Sequence, residues 1–226
     1  MKPGSSRDRG LEGILDALER AHGKPAKPRV TDPFEQVLLE NVAYLQTDER
    51  REQAFRALEK EVGLGAREIL AASKAALLEV AGLGGMRPMD RVDRFLECAR
   101  TWVELGEELP PELAKAKKAL RRFPGIGEPG AEKVLLFARR FPLLALESNG
   151  LRVLLRIGYG EESKNYGTSL KSAQRAAAPE LPETVDARIR AFQLLRTHGK
   201  EMCKANDPVC EACPVNDRCA FFARGR

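Results

Sequence analysis

Apolar residues recur at helical spacing along almost the whole chain. Over 48–62 they are Ala54, Phe55, Leu58 and Val62, with Thr47 placed to cap the start of that helix. Over 112–123 they are Leu113, Ala116, Leu120 and Phe123, and over 183–196 they are Val185, Ile189, Phe192 and Leu195. Alternating strand patterns closed by hairpin turns are scarce. The helical runs are parted by Gly63-Leu64-Gly65, Gly82-Leu83-Gly84-Gly85, Leu109-Pro110-Pro111 and Phe123-Pro124-Gly125-Ile126-Gly127, connections of the short length usual between helices. The pattern predicts an all-α protein, a compact bundle of roughly ten short helices with no repeat of fixed period. The first ten residues read as a tail, and Gly23 to Val30 as a loose linker.

A chain of 226 residues can bury a real core, and 43% hydrophobic content is ordinary for a globular protein. No stretch approaches the ~20 apolar residues of a membrane helix. The basic N-terminus has no apolar run behind it, unlike a secretory signal. A soluble, cytoplasmic monomer with no membrane attachment is expected. The net charge of +5 is uneven: residues 1–33 carry 7 basic and 5 acidic side chains, 149–226 carry 13 and 9, and 34–148 carry 18 and 19. A modest basic excess at both ends suits a nucleic-acid partner, although many proteins without one show as much.

The sharpest chemical signal is at the C-terminus. Cys203, Cys210, Cys213 and Cys219 are spaced C-x6-C-x2-C-x5-C. Thiols so dense in a cytoplasmic protein point to a metal site rather than to disulfides. Zinc commonly uses two separated C-x2-C knuckles, and only Cys210 and Cys213 form one. A [4Fe–4S] cluster accepts four thiolates from one looping segment and is the favoured reading, with zinc as the alternative. The fifth cysteine, Cys98, lies one helical turn from Phe95 and Trp102 and reads as a core thiol.

Gly125, Ile126 and Gly127 lie between two amphipathic runs. Glycines two apart permit a tight turn with no Cβ to block approach from outside. The helix that follows then offers free N–H groups and a positive dipole end, which suits a phosphate. A plain helix–helix connector has the same pattern.

At these two motifs the chain resembles the endonuclease III family of helix-hairpin-helix DNA glycosylases. The cysteine spacing matches that family's cluster loop, and His198-Gly199-Lys200 matches the approach to it. Pro124-Gly125-Ile126-Gly127 with Ala131 matches the hairpin, and Asp32-Pro33-Phe34-Glu35 followed by Gln46-Thr47-Asp48 resembles the opening helices. The likeness runs from about Leu11 to the C-terminus. It implies a six-helix barrel over 34–148, carrying the hairpin, and a cluster domain built from 1–33 and 149–226, with its loop over 203–219. It also implies an enzyme that binds double-stranded DNA, flips a damaged or mismatched base into a pocket and cleaves its N-glycosidic bond. The cluster would shape a basic loop against DNA, with Lys200, Lys204, Arg218 and Arg224 as its positive surface.

Two catalytic positions depart from the family pattern. Its bifunctional members carry a nucleophilic lysine where this chain has Pro129, so lysine-dependent strand cleavage is not expected. The family aspartate, which stabilises the cationic sugar and helps activate water, falls on Glu147, one methylene longer. Glu128 adds a negative charge where a phosphate is expected. A monofunctional glycosylase with Glu147 as its catalytic carboxylate is the first reading. A non-catalytic DNA-binding protein is the second. Tyr44 and Gln46 are candidates for recognising the flipped base, against ordinary packing roles. Lys133, one helical turn beyond Pro129, is a candidate migrated nucleophile, against a solvated surface lysine.

Overall fold

The computed structural model describes residues 10–225. The tail expected over residues 1–10 lies outside them but for Gly10. The described residues hold helices and connections and no strand. They divide into two compact units, one from Pro28 to Arg139 and one made of the residues up to Lys27 together with those from Arg140 onward.

The first helix, α1 (Leu11–His22), belongs to the terminal unit. The middle unit starts with α2 (Pro33–Asn41). Asp32 caps it by accepting from the N–H groups of Phe34 and Glu35 at 2.8 and 3.0 Å, with Pro33 in the first turn. In α3 (Asp48–Glu61) the Thr47 hydroxyl accepts from Arg50 N–H at 3.3 Å, the cap that the sequence predicts. Four more helices follow: α4 (Ala66–Ala71), α5 (Lys74–Leu83), α6 (Pro88–Glu104) and α7 (Leu113–Leu120). The last, α8 (Glu128–Phe137), packs against α2 and α7. Phe55, Leu58, Ile69, Leu77, Phe95 and Leu135 are fully buried here. Phe34 stacks on Trp102 with ring centroids 5.4 Å apart, and Phe123 leans on the same indole at 6.3 Å. Such a pair contributes about 0.5–1.5 kcal/mol beyond its buried area, and it fixes the start of the 123–127 turn to the core. Cys98 is the expected core thiol, pushed up to about 12 by burial.

The segment read as a loose linker is irregular but tethered. Within the middle unit the Gln36 amide donates to Val30 O at 2.7 Å, and Arg29 lies over the Phe55 ring while pairing with Glu52 and Glu59. Within the terminal unit Gln193 donates to Ala26 O at 2.9 Å.

The terminal unit consists of α1, α9 (Ser148–Ile157), α10 (Tyr166–Ala177), α11 (Val185–Glu201) and a short α12 (Ala220–Ala223). α9 packs along α11, and α11 against α1. Leu11, Leu15 and Leu18 share one core with Leu151, Leu154, Leu194 and Leu195. Leu144 and Leu146 join that core, which is why the second boundary falls at 139/140 rather than after 148. α11 runs beyond the expected 196, and its last turn carries the buried His198 and Gly199. A Cβ at Gly199 would meet Asn149 O at 2.6 Å and its Cβ at 2.8 Å, so glycine is required for α11 to approach the start of α9.

Candidate active site and metal centre

The turn after α7 is made by backbone bonds, Phe123 N–H to Leu120 O at 3.1 Å and Ile126 N–H to Phe123 O at 3.2 Å. Gly125 has φ +73°, a left-handed conformation that favours glycine. Gly127 is extended and caps α8, and a Cβ there would make only an ordinary contact with Pro129. The turn therefore needs one glycine; the second leaves open the space outside the N–H groups of α8. Ile126 is buried, so only its backbone faces outward. Glu128, expected to repel phosphate, is ion-paired with Lys117 and lies 3.7 Å from Arg121, both from the preceding helical segment. Lys117 also binds Glu132 at 2.8 Å.

Lys133 is not a solvated surface lysine. Its Nζ bonds Glu40 Oε1 at 2.5 Å, and both side chains are about four-fifths buried, 21% and 20% exposed. A lysine so engaged has to break its ion pair before its amine can attack a sugar. We expect no borohydride-trapped protein–DNA adduct at this residue. A trapped adduct that disappears in Lys133→Ala would overturn that expectation.

Tyr44 is 61% exposed and lines a cleft of about 410 Å³ with Glu40, Asn41, Met86 and Arg87. Gln46 is outside that lining. Its Oε1 accepts from Arg50 at 3.4 Å, and the side chain lies against Gly85. The two loops carrying these residues meet through Tyr44 N–H to Gly84 O at 3.2 Å. They present Leu45, in a left-handed conformation and 75% exposed, and Met86, 72% exposed.

In the terminal unit Glu147 is the N-cap of α9. Its Oε1 accepts from Gly150 N–H at 2.7 Å and its Oε2 from the Asn149 amide at 2.7 Å. Both oxygens are thereby fixed, and two of the carboxylate's roughly four acceptor directions remain for water. The polar chain continues: Arg152 donates to Asn149 Oδ1 at 2.9 Å, to Gly199 O at 2.6 Å and to Cys203 O at 2.8 Å. Glu147 is thus joined through two side chains to the start of the cysteine loop. Beside it opens a groove of about 780 Å³ lined by Ser148, Arg152, Lys164, Tyr166 and Arg224. The Tyr166 phenol is pushed up by burial and by the charge of Glu147.

Cys203, Cys210, Cys213 and Cys219 are free thiols, half-buried, and all four line one cavity walled by Val153, Ile157, Val215 and Phe221. Among the described residues no three His, Cys, Asp or Glu side chains converge as they would on a single metal ion. Burial pushes the Cys213 thiol up, and the other three cysteines add to the shift. Four thiols of one loop around one apolar-walled cavity form the donor set that an iron–sulfur cluster uses. Positive charge stands beside them. Arg156 Nη1 lies 3.5 Å from Cys203 Sγ and donates to Lys204 O at 2.6 Å, while its guanidinium sits 4.5 Å over the Phe221 ring. His198 Nε2 lies 3.5 Å from Cys213 Sγ, and burial pushes this imidazole down to about 4.

Lys200, Lys204 and Arg224 are exposed around this loop, whereas Arg218 is half-buried and 3.6 Å from Asp217. Arg152 and Arg156 were not singled out from the sequence. Their signal is a pair of arginines four apart on the polar face of an apolar helix.

No family model matches the chain. It is 29% identical over 202 residues to an endonuclease III of Thermotoga maritima, covering 88% of each chain. To a thymine-DNA glycosylase of Aeropyrum pernix it is 32% identical over 110 residues, 47% of this chain and 48% of that one. Among solved structures, a thermostable thymine-DNA glycosylase superposes with TM-score 0.75 at 20% identity, covering 94% of this chain and 96% of that one. A trapped endonuclease III–DNA covalent intermediate superposes with TM-score 0.74 at 18% identity, covering 96% and 97%.

Proposed function

The chain is endonuclease III-like in sequence and in helix-hairpin-helix fold, and from that premise we propose that it is a monofunctional DNA base-excision glycosylase. The observation that carries the reading is Glu147, a carboxylate fixed by two N–H donors at the start of α9 and beside a groove. In the proposed reaction the bond between the sugar C1′ and the flipped base breaks, and its electron pair leaves with the base. Glu147 stabilises the positive charge that develops on the sugar and orients a water molecule on its free acceptor directions. That water adds to C1′ and gives up a proton to the carboxylate. Pro129 offers no amine, so no covalent intermediate forms and the strand stays intact at the abasic sugar.

Duplex DNA is held, in this reading, by the N–H groups that begin α8 and by the basic rim of the cysteine loop. Lys204→Ala should weaken binding to all sequences alike and reduce the slope of log affinity against log salt by about one. An unchanged slope would remove Lys204 from the interface. Cys203, Cys210, Cys213 and Cys219 would hold a [4Fe–4S] cluster, with the Arg156 guanidinium offsetting its negative charge. When bound, the cluster would fix the shape of the loop and take no part in base release.

A non-catalytic DNA-binding protein is the second reading, and Pro129 in place of the family's lysine favours it. The deciding experiment is single-turnover incubation with duplexes bearing oxidised, deaminated, alkylated or mismatched bases, each read before and after hot alkali. Strand breaks only after alkali are expected on at least one duplex. No product from any of them, with DNA binding intact, would establish the second reading.

A further inference from the structure

The chain has two histidines, and they are hydrogen-bonded to each other although 176 residues apart. His22 ends α1 with its side chain 6% exposed, and His198 lies in the last turn of α11, 1% exposed. His22 Nδ1 lies 3.2 Å from Glu201 Oε2, His22 Nε2 lies 3.0 Å from His198 Nδ1, and His198 Nε2 lies 3.5 Å from Cys213 Sγ. The rings meet edge to face with centroids 5.3 Å apart. A continuous chain of polar contacts therefore leads from an exposed carboxylate to one thiol of the cysteine cavity.

We infer that His22 is a positioning residue that holds His198 with Nε2–H directed at the Cys213 sulfur, and so sets the reduction potential of the bound cluster. The inference rests on the cluster reading above. A thiolate that ligates a metal carries no proton and can only accept. Its bond with His198 is made only if Nε2 bears the hydrogen, and the lone pair of His198 Nδ1 then faces His22. The 3.0 Å bond is therefore donated by His22 Nε2. Glu201 Oε2 lies 3.2 Å from the other ring nitrogen, and because a carboxylate only accepts, that contact is a hydrogen bond only where Nδ1 also carries a hydrogen. Without His22 nothing in the contact chain selects between the two tautomers of His198, and the other one would turn a lone pair toward sulfur. Hydrogen bonds to cluster sulfurs are among the determinants of potential, because a donor stabilises the more negative, reduced state.

The test is voltammetry of the full chain, purified without oxygen, with iron content and melting temperature measured on every sample. His22→Phe should lower the potential by an amount equal to about a tenfold change in the redox equilibrium, ~59 mV for a one-electron couple. His22→Gln, whose amide can still donate toward His198 Nδ1, should stay close to wild type. A packing role alone would change stability or iron loading and leave the potential of loaded protein in place, so an unshifted potential in fully loaded His22→Phe overturns the inference. Should His22→Phe not fold, His22→Ala, which removes the donor to His198 without adding bulk, probes the same bond. A shift in the same direction supports the inference, and no shift overturns it. Wild-type protein without iron would instead sink the cluster reading, before any potential is measured.

Discussion

Glu147→Gln should slow single-turnover base release by at least about 100-fold while leaving DNA affinity nearly unchanged. The two side chains have the same size, and Gln retains an oxygen to accept from Gly150 N–H, so the α9 cap persists. Complete loss of such a cap costs typically ~1 kcal/mol, and this substitution should cost less. What disappears is the negative charge facing a cationic sugar. Electrostatic stabilisers of this kind contribute about 2.7–4 kcal/mol, and each ~1.4 kcal/mol is a factor of ten in rate. The substitution also reaches further. The polar chain has a direction: Arg152 donates to Asn149, and Asn149 donates to Glu147, which only accepts. An amide nitrogen placed at Oε2 would set donor against donor, and flipping Asn149 would move the same conflict to Arg152. Rates are to be read as alkali-revealed strand breaks, with affinity and melting temperature measured alongside. Base release at the wild-type rate would remove Glu147 from the chemistry and turn attention to Glu161 and Glu162, which line the neighbouring groove.

The parts of the molecule that were legible in the sequence are those set by short-range physics. Thr47 caps α3 as its position predicts, and Cys98 lies in the core because it shares a helix face with Phe95 and Trp102. The parts that were not legible depend on partners remote along the chain. Arg152 and Arg156 donate to carbonyls about fifty residues away, and helical periodicity carries no trace of those acceptors. His22 belongs to the same class. Lys133 looked solvated because Glu40, its partner, is 93 residues distant. Glycine spacing could not say which of Gly125 and Gly127 makes the turn, since both are compatible with it and only φ separates them. Leu144 and Leu146 could join either unit by composition, and the core of α1, α9 and α11 claims them.

Cys210→Ser should abolish the proposed cluster, taking iron from about four per chain to near zero. A serine hydroxyl does not ionise near neutrality, so a ligand is lost while the side-chain shape is kept. The consequences should differ along the loop. Its first part is held by protein groups: Arg152 grips Cys203 O, and Arg156 grips Lys204 O and Ala205 O. From Cys210 to Cys219 the backbone carbonyls are held locally, from Asn216 to Cys210 O and Glu211 O and between neighbouring turns, while the thiols reach outward, Cys213 Sγ lying 3.5 Å from His198 Nε2 and Cys219 Sγ 3.4 Å from Arg156 O. With the proposed cluster bound, that segment would be tied together chiefly by four thiolates sharing one group. Limited proteolysis should therefore open 210–219 in the variant while α9 and α11, packed on each other, resist. Cys98→Ser is the control for loss of a thiol as such: it should keep its iron and lose about 1–3 kcal/mol by burying a hydroxyl among apolar side chains. Full iron in Cys210→Ser would exclude Cys210 as a ligand. Stoichiometric zinc with no iron in wild type would replace the cluster with a different metal on the same four thiols. In that case the loop would still be tied to Glu147 through Arg152, because those hydrogen bonds depend on carbonyls and not on the metal.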